Sequence, residues 1–521
     1  MVPSKTSFMV KSAGVMMVAT LVSRVLGLFR DMIIAAFFGA TAQYDAFLVA
    51  YTIPNLLRRL LAEGALSAAF VPVFTRRIVK GEQTEAWDTV NSLINIMIVL
   101  FIIIVSAGEF FAPWLVKLIA PGFGESTHLL AVKLTRVMFP FIVFMSLAAI
   151  SMGILNALGK FFVPALAPAM LNISIISIML LFGKVRWAIL LLAVAVMVGG
   201  GLQFFVQLPL LYKKGYRYRF VLDLHNPDVL QIGRLMLPYV FGLAVTQLDI
   251  VIDRILASML TSGSISVLNY ALRLVLLPMG VFGIAISTAV FPTLSKHSAQ
   301  DSPSEFVDAL TDGLAFVSFI VVPAAIGLAV LGKPIIRLLF ARGEFGAWAV
   351  ESTSFVLYFY AAGLPFMAYL NLILKAFYAA YDTKTPVKVG AFMVGLNFVL
   401  AYSLMHVLDV GGLAFATSVV SAINFAVLFE ILRRRFDFLR WGAFLFPLLR
   451  VLGVGAVMLV VVYVLGVYWI EDCYGWILLV KLSVTVLLGM FVFLLLLYLL
   501  KVRERRYISV VYELFMQRLR G

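Results

Sequence analysis

Cysteine, histidine and nucleotide-binding motifs are scarce or absent in this chain of 521 residues. A single cysteine, Cys473, excludes an internal disulfide framework and a cysteine-based metal cluster. The four histidines lack the spacing of a metal site; they are His128, His225, His297 and His406. There is no GxxxxGK[ST] loop, so the sequence predicts neither ATP use nor any bound cofactor.

Charged residues are also scarce. Only 13% of the residues are charged while 63% are hydrophobic, and the mean hydropathy is +1.06. A soluble globule is excluded, because apolar runs of about 20 residues recur along the whole chain. The net charge of +15 would suggest nucleic acid in a soluble protein, but in a membrane protein it follows from topology, so no nucleic-acid partner is expected.

Hydropathy predicts an all-α polytopic membrane protein with about fourteen transmembrane helices. The predicted spans are 10–37, 44–75, 88–112, 129–156, 163–182, 187–212, 235–260, 266–294, 305–332, 348–381, 388–404, 412–432, 445–469 and 475–500. The first is predicted to be a retained helix and not a cleaved signal peptide. Lys and Arg concentrate in alternate loops and in both tails, which predicts that both termini are cytoplasmic.

An internal repeat predicts the architecture. Residues 65–77 (ALSAAFVPVFTRR) align without gaps on residues 285–297 (AISTAVFPTLSKH), and VKLI at 116–119 aligns on IRLL at 336–339 at the same offset. An even number of spans separates the copies, so the repeat is parallel and predicts two six-helix lobes with two helices left over. Chance similarity among apolar helices is the alternative. The predicted segments are 1–215 (first lobe), 216–234 (cytoplasmic linker), 235–436 (second lobe), 437–503 (last two helices) and 504–521 (cytoplasmic tail).

Arginines inside predicted spans carry the functional signal: Arg24, Arg30, Arg58, Arg59 and Arg273. An Arg near the bilayer centre costs about 2.5–3.5 kcal/mol, so it persists where it faces a water-filled cavity, a partner or an anionic ligand. Arg24 lies about 20 Å along the first span at 1.5 Å per residue, which is near mid-membrane. The sign of these charges predicts an anionic cargo.

Polar neighbours could support or neutralise these arginines. Ser23 and Asp31 fall on neighbouring stripes of the first helix. Glu63 follows Arg59 by four residues and is predicted to neutralise it, and Asp45 lies near the start of the second span. An alternative is that the arginines pair with Asp31, Asp45 and Glu63 to lock helices together.

Energy coupling is less visible in the sequence. Asp253 and Asp382 are the candidate ligands of a Na⁺ or H⁺ site, because such a site in a repeat-based transporter needs oxygen ligands. The alternatives are an ion pair between Asp253 and Arg254, and a helix cap at Asp382.

Four stretches resemble the MurJ (MviN-type) lipid II flippase family of the multidrug/oligosaccharidyl-lipid/polysaccharide exporter superfamily. They are SRVLGLFRD at 23–31, YDAFLVAYTIPNLLRRLLAEGALSAAFVPVF at 44–74, YALRLVLLPMGVFGIAISTAVFPTLS at 270–295 and DTKTPVK at 382–388. The resemblance implies two six-helix lobes in a V around a central cavity. It maps the family's cavity arginines onto Arg24, Arg30, Arg58 and Arg273, and its acidic position onto Asp45. Many relatives carry an acidic residue just before the last of these arginines, where this chain has Leu272.

The resemblance also implies the cargo, lipid II, an undecaprenyl-diphosphate-linked disaccharide-pentapeptide that moves from the inner to the outer leaflet of a bacterial cytoplasmic membrane. Arginine suits a diphosphate because its planar fork stays charged and offers several donors. The last two helices are predicted to border a groove for the lipid tail; the alternative is that they only anchor or associate. A monomer is expected. Two other classes, a cation-coupled multidrug exporter of the same fold and a membrane enzyme, fit the visible residues less well.

Overall fold

The computed structural model describes residues 5–60, 67–436, 439–470 and 473–500, and every regular element in those ranges is a helix. The first ten helices are α1 Lys5–Phe38, α2 Ala42–Leu57, α3 Ser67–Val79, α4 Gln83–Ile119, α5 Glu125–Met138, α6 Phe141–Ala157, α7 Phe162–Phe182, α8 Ala188–Phe205, α9 Leu208–Lys213 and α10 Pro227–Ser258. The others are α11 Ser264–Pro278, α12 Ile284–Ala299, α13 Pro303–Phe340, α14 Ala347–Ala379, α15 Lys384–Leu408, α16 Val410–Arg435, α17 Trp441–Leu465 and α18 Gly475–Leu499.

Eleven helical segments within the described residues are long and apolar enough to cross a membrane. The prediction of an all-helical, multi-pass membrane protein is thereby confirmed, whereas the count of fourteen stays a prediction. Three predicted spans, 10–37, 44–75 and 235–260, are not among these eleven segments. They correspond to α1, to α2 with α3, and to α10. Those helices carry most of the charges singled out above, and each buried charge lowers the hydropathy of its helix.

The chain divides into two compact units. Unit 1 comprises residues 1–266 and 342–345, and unit 2 comprises residues 267–341 and 346–521. Each is a helical bundle with the same pairing order: α7 packs on α8, α6 on α8 and α3 on α6 in unit 1, and α15 packs on α16, α14 on α16 and α12 on α14 in unit 2. This shared order supports the predicted repeat, although the predicted lobe boundaries themselves stay predictions.

Two further features recur at the offset of the sequence repeat. The backbone is wound as a π-helical turn at residues 58–60 and again at Met279–Gly283. An aromatic pair also joins a residue after the sixth predicted span of each copy to the start of the third: Trp87 packs on Tyr216 with ring centroids 5.7 Å apart, and Phe306 stacks on Phe436 at 4.9 Å. Matching departures from α-helical geometry are not expected from chance similarity among apolar helices.

Residues 342–345 belong to unit 1 because their backbone lies directly against the end of α1. The Glu344 amide donates to the Ala36 carbonyl at 3.0 Å. A Cβ on Gly343 would lie 2.1 Å from the Ala36 oxygen, and one on Gly39 would lie 2.2 Å from the Glu344 oxygen. Both glycines also have positive φ, +56° and +55°, so only glycine meets the steric and conformational demands of this contact.

The start of α10 is attached to unit 1 through a buried carboxylate. Asp228 accepts hydrogen bonds from Arg77 Nε at 2.6 Å and Arg76 Nη2 at 3.1 Å. Arg77 also pairs with Glu82, and that hydrogen bond lowers the pKa of the Glu82 carboxyl. The Asp228 side chain is only 4% exposed, so removal of one partner would leave a buried charge uncompensated.

The last two helices belong to unit 2 and pack on α13 through an apolar core. Val451, Val454, Met458 and Val462 of α17 join Phe319 of α13, with further contributions from α18. The other sides of α17 and α18 expose large apolar residues, as expected for surfaces that face lipid; they include Leu449, Val460, Tyr463, Ile477, Leu487 and Phe491.

Candidate functional site

Arg30 lies at the centre of a polar cluster of unit 1. Its Nε and Nη2 donate to Asp31 Oδ1 at 3.0 and 2.6 Å, and its Nη1 donates to Asn172 Oδ1 at 3.0 Å. The Arg30 side chain is 14% exposed and that of Asp31 is 6% exposed. The ion pair offsets the cost of burying Arg30 in α1, and two of the five N–H groups of the guanidinium take no part in these bonds.

Asn172 of α7 connects this cluster to the neighbouring turn of α1. While its Oδ1 accepts from Arg30, its Nδ2 donates to the Ser23 carbonyl at 3.1 Å. Ser23 therefore takes part through its backbone. Arg24, the next residue, is half-buried and has no hydrogen-bond or ion-pair partner in the part of the chain that the structure describes.

Arg58 begins the π-helical turn of residues 58–60, just after α2. Its Nε donates to Asn55 Oδ1 at 2.9 Å, and the side chain is half-buried. A π-helical turn redirects the side chains that follow it, and such turns are frequent at functional sites. The hydrogen bond to Asn55 orients the Arg58 guanidinium at the start of this turn.

Arg59 is exposed and donates to Gln247 Oε1 of α10 at 3.1 Å. The sequence predicted neutralisation by Glu63, which lies outside the described residues. Gln247 is an amide, so this contact orients Arg59 without cancelling its charge.

Asp45 is buried, and its carboxylate caps the start of α11. It accepts from the Gly263 amide at 2.6 Å, the Ser266 amide at 2.8 Å and Ser266 Oγ at 2.6 Å. An anion is favoured at a helix N-terminus, where the backbone amides have no intrahelical acceptor. Sequence reasoning had grouped Asp45 with the cavity residues, whereas its hydrogen bonds in the structure are those of a helix cap.

Arg273 belongs to unit 2, where it lies on an exposed side of α11. The prediction that it serves the same cargo as the unit 1 arginines stays a prediction. Leu272 beside it is half-buried.

The two predicted cation ligands differ in their surroundings. Asp382 caps α15: its Oδ1 accepts from the Thr385 amide at 3.0 Å and its Oδ2 from Thr385 Oγ1 at 2.8 Å. Asp253 of α10 has a buried Oδ1 with no hydrogen-bond partner, and its neighbour Arg254 donates to the Ile265 carbonyl. Among the described residues, no group of three or more His, Cys, Asp or Glu could hold a metal ion.

Sequence reasoning missed the amides that orient the arginines: Asn172, Asn55 and Gln247. A signal was present for Asn172, because an amide inside an apolar span must find a hydrogen-bond partner there. Arg30 is held by Asp31 and Asn172 and has two guanidinium N–H groups outside these bonds, which suits a ligand with several anionic oxygens.

Comparison with known proteins gives consistent results. The family profile described as "Lipid II flippase MurJ" matches residues 34–497. A probable lipid II flippase MurJ of Vibrio cholerae is 37% identical over 432 residues, which is 81% of this chain and 82% of that protein. The lipid II flippase MurJ of Burkholderia cenocepacia is 35% identical over 427 residues, 80% of this chain and 82% of that protein.

Solved structures show similar relationships. A lipid II flippase MurJ in an inward closed conformation has a TM-score of 0.78 and 32% identity, covering 92% of this chain and 97% of that one. An inward-facing multidrug resistance MATE family transporter of the MOP superfamily has a TM-score of 0.68 at 15% identity, covering 82% of this chain and 98% of that one. The second similarity shows a shared fold alone.

Proposed function

The chain belongs to the MurJ family of lipid II flippases, and from this membership we propose that it moves lipid II from the inner to the outer leaflet of the bacterial cytoplasmic membrane by alternating access. It is a transporter and not an enzyme, because moving a lipid between leaflets needs no bond to form or break. The full proposal includes fourteen spans in two six-helix lobes, both termini in the cytoplasm, and function as a monomer.

The observation that carries the proposal is the setting of three arginines in unit 1. Arg30 is anchored by Asp31 and Asn172, Arg24 is half-buried without a described partner, and Arg58 is oriented by Asn55. We assign these three arginines, with Arg273 of unit 2, to recognition of the diphosphate. Charge-assisted hydrogen bonds to phosphate oxygens are roughly twice as strong as neutral ones, and a buried arginine keeps its charge.

The lipid tail requires a different surface, because it cannot leave hydrocarbon cheaply. The exposed apolar sides of α17 and α18 are assigned to it. Their packing on α13 through Val451, Val454 and Val462 supports a fixed position for these helices.

Coupling to H⁺ or Na⁺ is assigned to Asp253. A buried carboxylate oxygen without a hydrogen-bond partner is costly, and binding of a cation would offset that cost. Asp382 remains part of the original hypothesis, but both of its oxygens already accept hydrogen bonds from Thr385.

A cation-coupled multidrug exporter of the same fold is the alternative. Cationic drugs would require carboxylates and aromatic rings around the site, whereas the carboxylate beside Arg30, that of Asp31, already forms an ion pair with this arginine.

Reconstitution into liposomes tests the proposal. Fluorescent lipid II placed in one leaflet should become accessible to an impermeant reagent on the other side, and a cationic dye should not be transported. Arg24→Ala should abolish lipid II movement, and Lys117→Ala, which removes an exposed positive charge at the end of α4, should not. Dye transport without lipid II movement would favour the exporter.

A further inference from the structure

Residues 216–223, between α9 and α10, lie outside the helices and turns, and their alternate carbonyls at 217, 219 and 221 accept hydrogen bonds from α4. This period of two puts Tyr218, Phe220 and Leu222 on one face, and Leu224 follows in a turn. The four side chains are 51%, 75%, 48% and 57% exposed. Large apolar groups exposed together in this way form an apolar patch, which marks an interaction site.

This patch is held in place by two asparagines of α4. Asn91 donates to the Arg217 carbonyl and accepts from the Arg219 amide, at 3.2 and 3.1 Å. Asn95 donates to the carbonyls of Arg219 and Val221, at 3.1 and 2.9 Å. The segment is therefore ordered before it meets any partner, which lowers the entropic cost of docking.

The rings at the start of the segment reinforce this attachment. Tyr218 donates from its hydroxyl to Asn95 Oδ1 at 2.8 Å, and Tyr216 packs on Trp87 of α4. Tyrosine, with an apolar ring and a polar tip, is enriched at the boundary between membrane and water.

The position of the segment relative to the bilayer follows from the helices it contacts. The span that begins at Ala188 ends at Lys213, immediately before the segment. Along α4, the exposed side chains are polar at Gln83, Thr84 and Glu85 and apolar from Val99 to Ile103. Asn91 and Asn95 lie between these two regions, so the segment that they hold lies at the level of the lipid headgroups.

The charges within the segment itself are mainly positive. Lys213, Lys214, Arg217 and Arg219 are all exposed, and Asp223 is the acidic residue of the same stretch. Apolar side chains flanked by lysine and arginine at headgroup level match the recognition of anionic lipid surfaces.

We propose that the apolar patch of Tyr218, Phe220, Leu222 and Leu224, with its flanking basic residues, docks on the anionic phospholipid surface of the membrane face at which α9 ends. Docking would anchor the connection between the two repeats to the bilayer. This inference does not depend on the identity of the transported lipid.

Nitroxide labels on the full chain test the proposal. In a Cys473→Ser background, Phe220→Cys places a label on the patch and Asp223→Cys places one on the opposite face. Collision with oxygen, which partitions into lipid, and with an aqueous nickel chelate is measured in nanodiscs of phosphatidylcholine with and without phosphatidylglycerol. We expect the label at 220 to become protected from nickel when phosphatidylglycerol is present, and the label at 223 to stay accessible.

Charge variants separate anionic recognition from simple insertion. Lys213→Gln with Lys214→Gln should lower the ratio of docked to undocked segment by at least about fivefold, while Lys117→Gln with Lys184→Gln, exposed lysines outside the segment, should leave it unchanged. If the label at 220 is equally protected from nickel with and without phosphatidylglycerol, recognition of anionic lipid is contradicted. A label at 220 that stays accessible to nickel in both would overturn docking altogether and leave the patch to a protein partner.

Discussion

Asn172 fixes Arg30 in place across two helices, accepting from its Nη1 at 3.0 Å while donating to the Ser23 carbonyl at 3.1 Å. One amide thus sets both the direction of a guanidinium and its distance from the turn that carries Arg24. A diphosphate site depends on such fixed donors, because each misplaced donor loses its bond to the ligand.

The change Asn172→Ala should therefore lower lipid II transport by about tenfold or more while the protein still folds, since the lost bonds are worth about 1–3 kcal/mol. Asn371→Ala is the matched control, because that half-buried amide donates to the Met367 carbonyl of its own helix. Leaflet-accessibility assays on both variants check the claim. Equal transport by the two variants would show that Asn172 does not orient the site.

Asp45 should contribute to stability through the cap on α11. Asp45→Ala removes three hydrogen bonds to a buried carboxylate, each worth about 1.5–3 kcal/mol when the acceptor is charged, and Ser266→Ala removes one of them. Thermal unfolding in detergent should show a large fall in Tm for Asp45→Ala and a smaller one for Ser266→Ala. Ser262→Ala, at an exposed site two residues from the start of α11, should leave Tm unchanged; a fall as large as that of Asp45→Ala would contradict a specific cap.

The cap at Asp382 predicts a pH dependence. The hydrogen bond from the Thr385 amide lowers the pKa of Asp382 below its usual value, which is about 3.9 in unfolded chains. The ionised cap therefore stabilises the fold above about pH 3.9, and this contribution is lost as the pH falls through the lower folded pKa.

Asp382→Ala should cost about 1 kcal/mol near neutral pH, and the difference in Tm from the unaltered protein should shrink below about pH 4. Asp308→Ala, at an exposed position of α13, is the control and should show no such pH dependence. A gap between Asp382→Ala and the unaltered protein that stays constant down to pH 2 would contradict an ionised cap.

Composition and hydropathy were sufficient to predict the helical class. The alignment of residues 65–77 with 285–297 predicted a repeat, which the shared packing order of the two units supports. The same information could not predict that the backbone at 58–60 and 279–283 would adopt a π-helical turn, because that choice depends on tertiary packing.

Only part of the candidate site could be predicted, because the partners of its arginines also depend on tertiary packing. Arginines in apolar runs stand out because burying their charge is costly. Their orienting amides, Asn172 and Gln247, come from helices distant in sequence. The cap that Asp45 forms was not predicted, because its partners, the backbone amides of Gly263 and Ser266, lie more than 200 positions away and carry no sequence signal; its role in the cavity stays a prediction.

Orientation in the membrane is open to a direct test. In a Cys473→Ser background, a cysteine at exposed Ser262 should react with an impermeant thiol reagent added outside intact cells, and one at exposed Gln300 should react only after lysis. The prediction rests on the concentration of Lys and Arg in alternate loops. The reversed labelling pattern would invert the assigned direction of transport.

Recognition of the diphosphate by the unit 1 arginines is the central claim, and binding of two lipids that differ by one phosphate tests it most directly. The protein should bind undecaprenyl diphosphate more tightly than undecaprenyl monophosphate. Arg24→Ala and Arg58→Ala should each lower the affinity for the diphosphate by about 10- to 100-fold, with a smaller loss for the monophosphate; Lys at either position should restore part of it, because the charge returns without the planar fork. Equal loss of affinity for both lipids, or no loss for the diphosphate, would contradict the account.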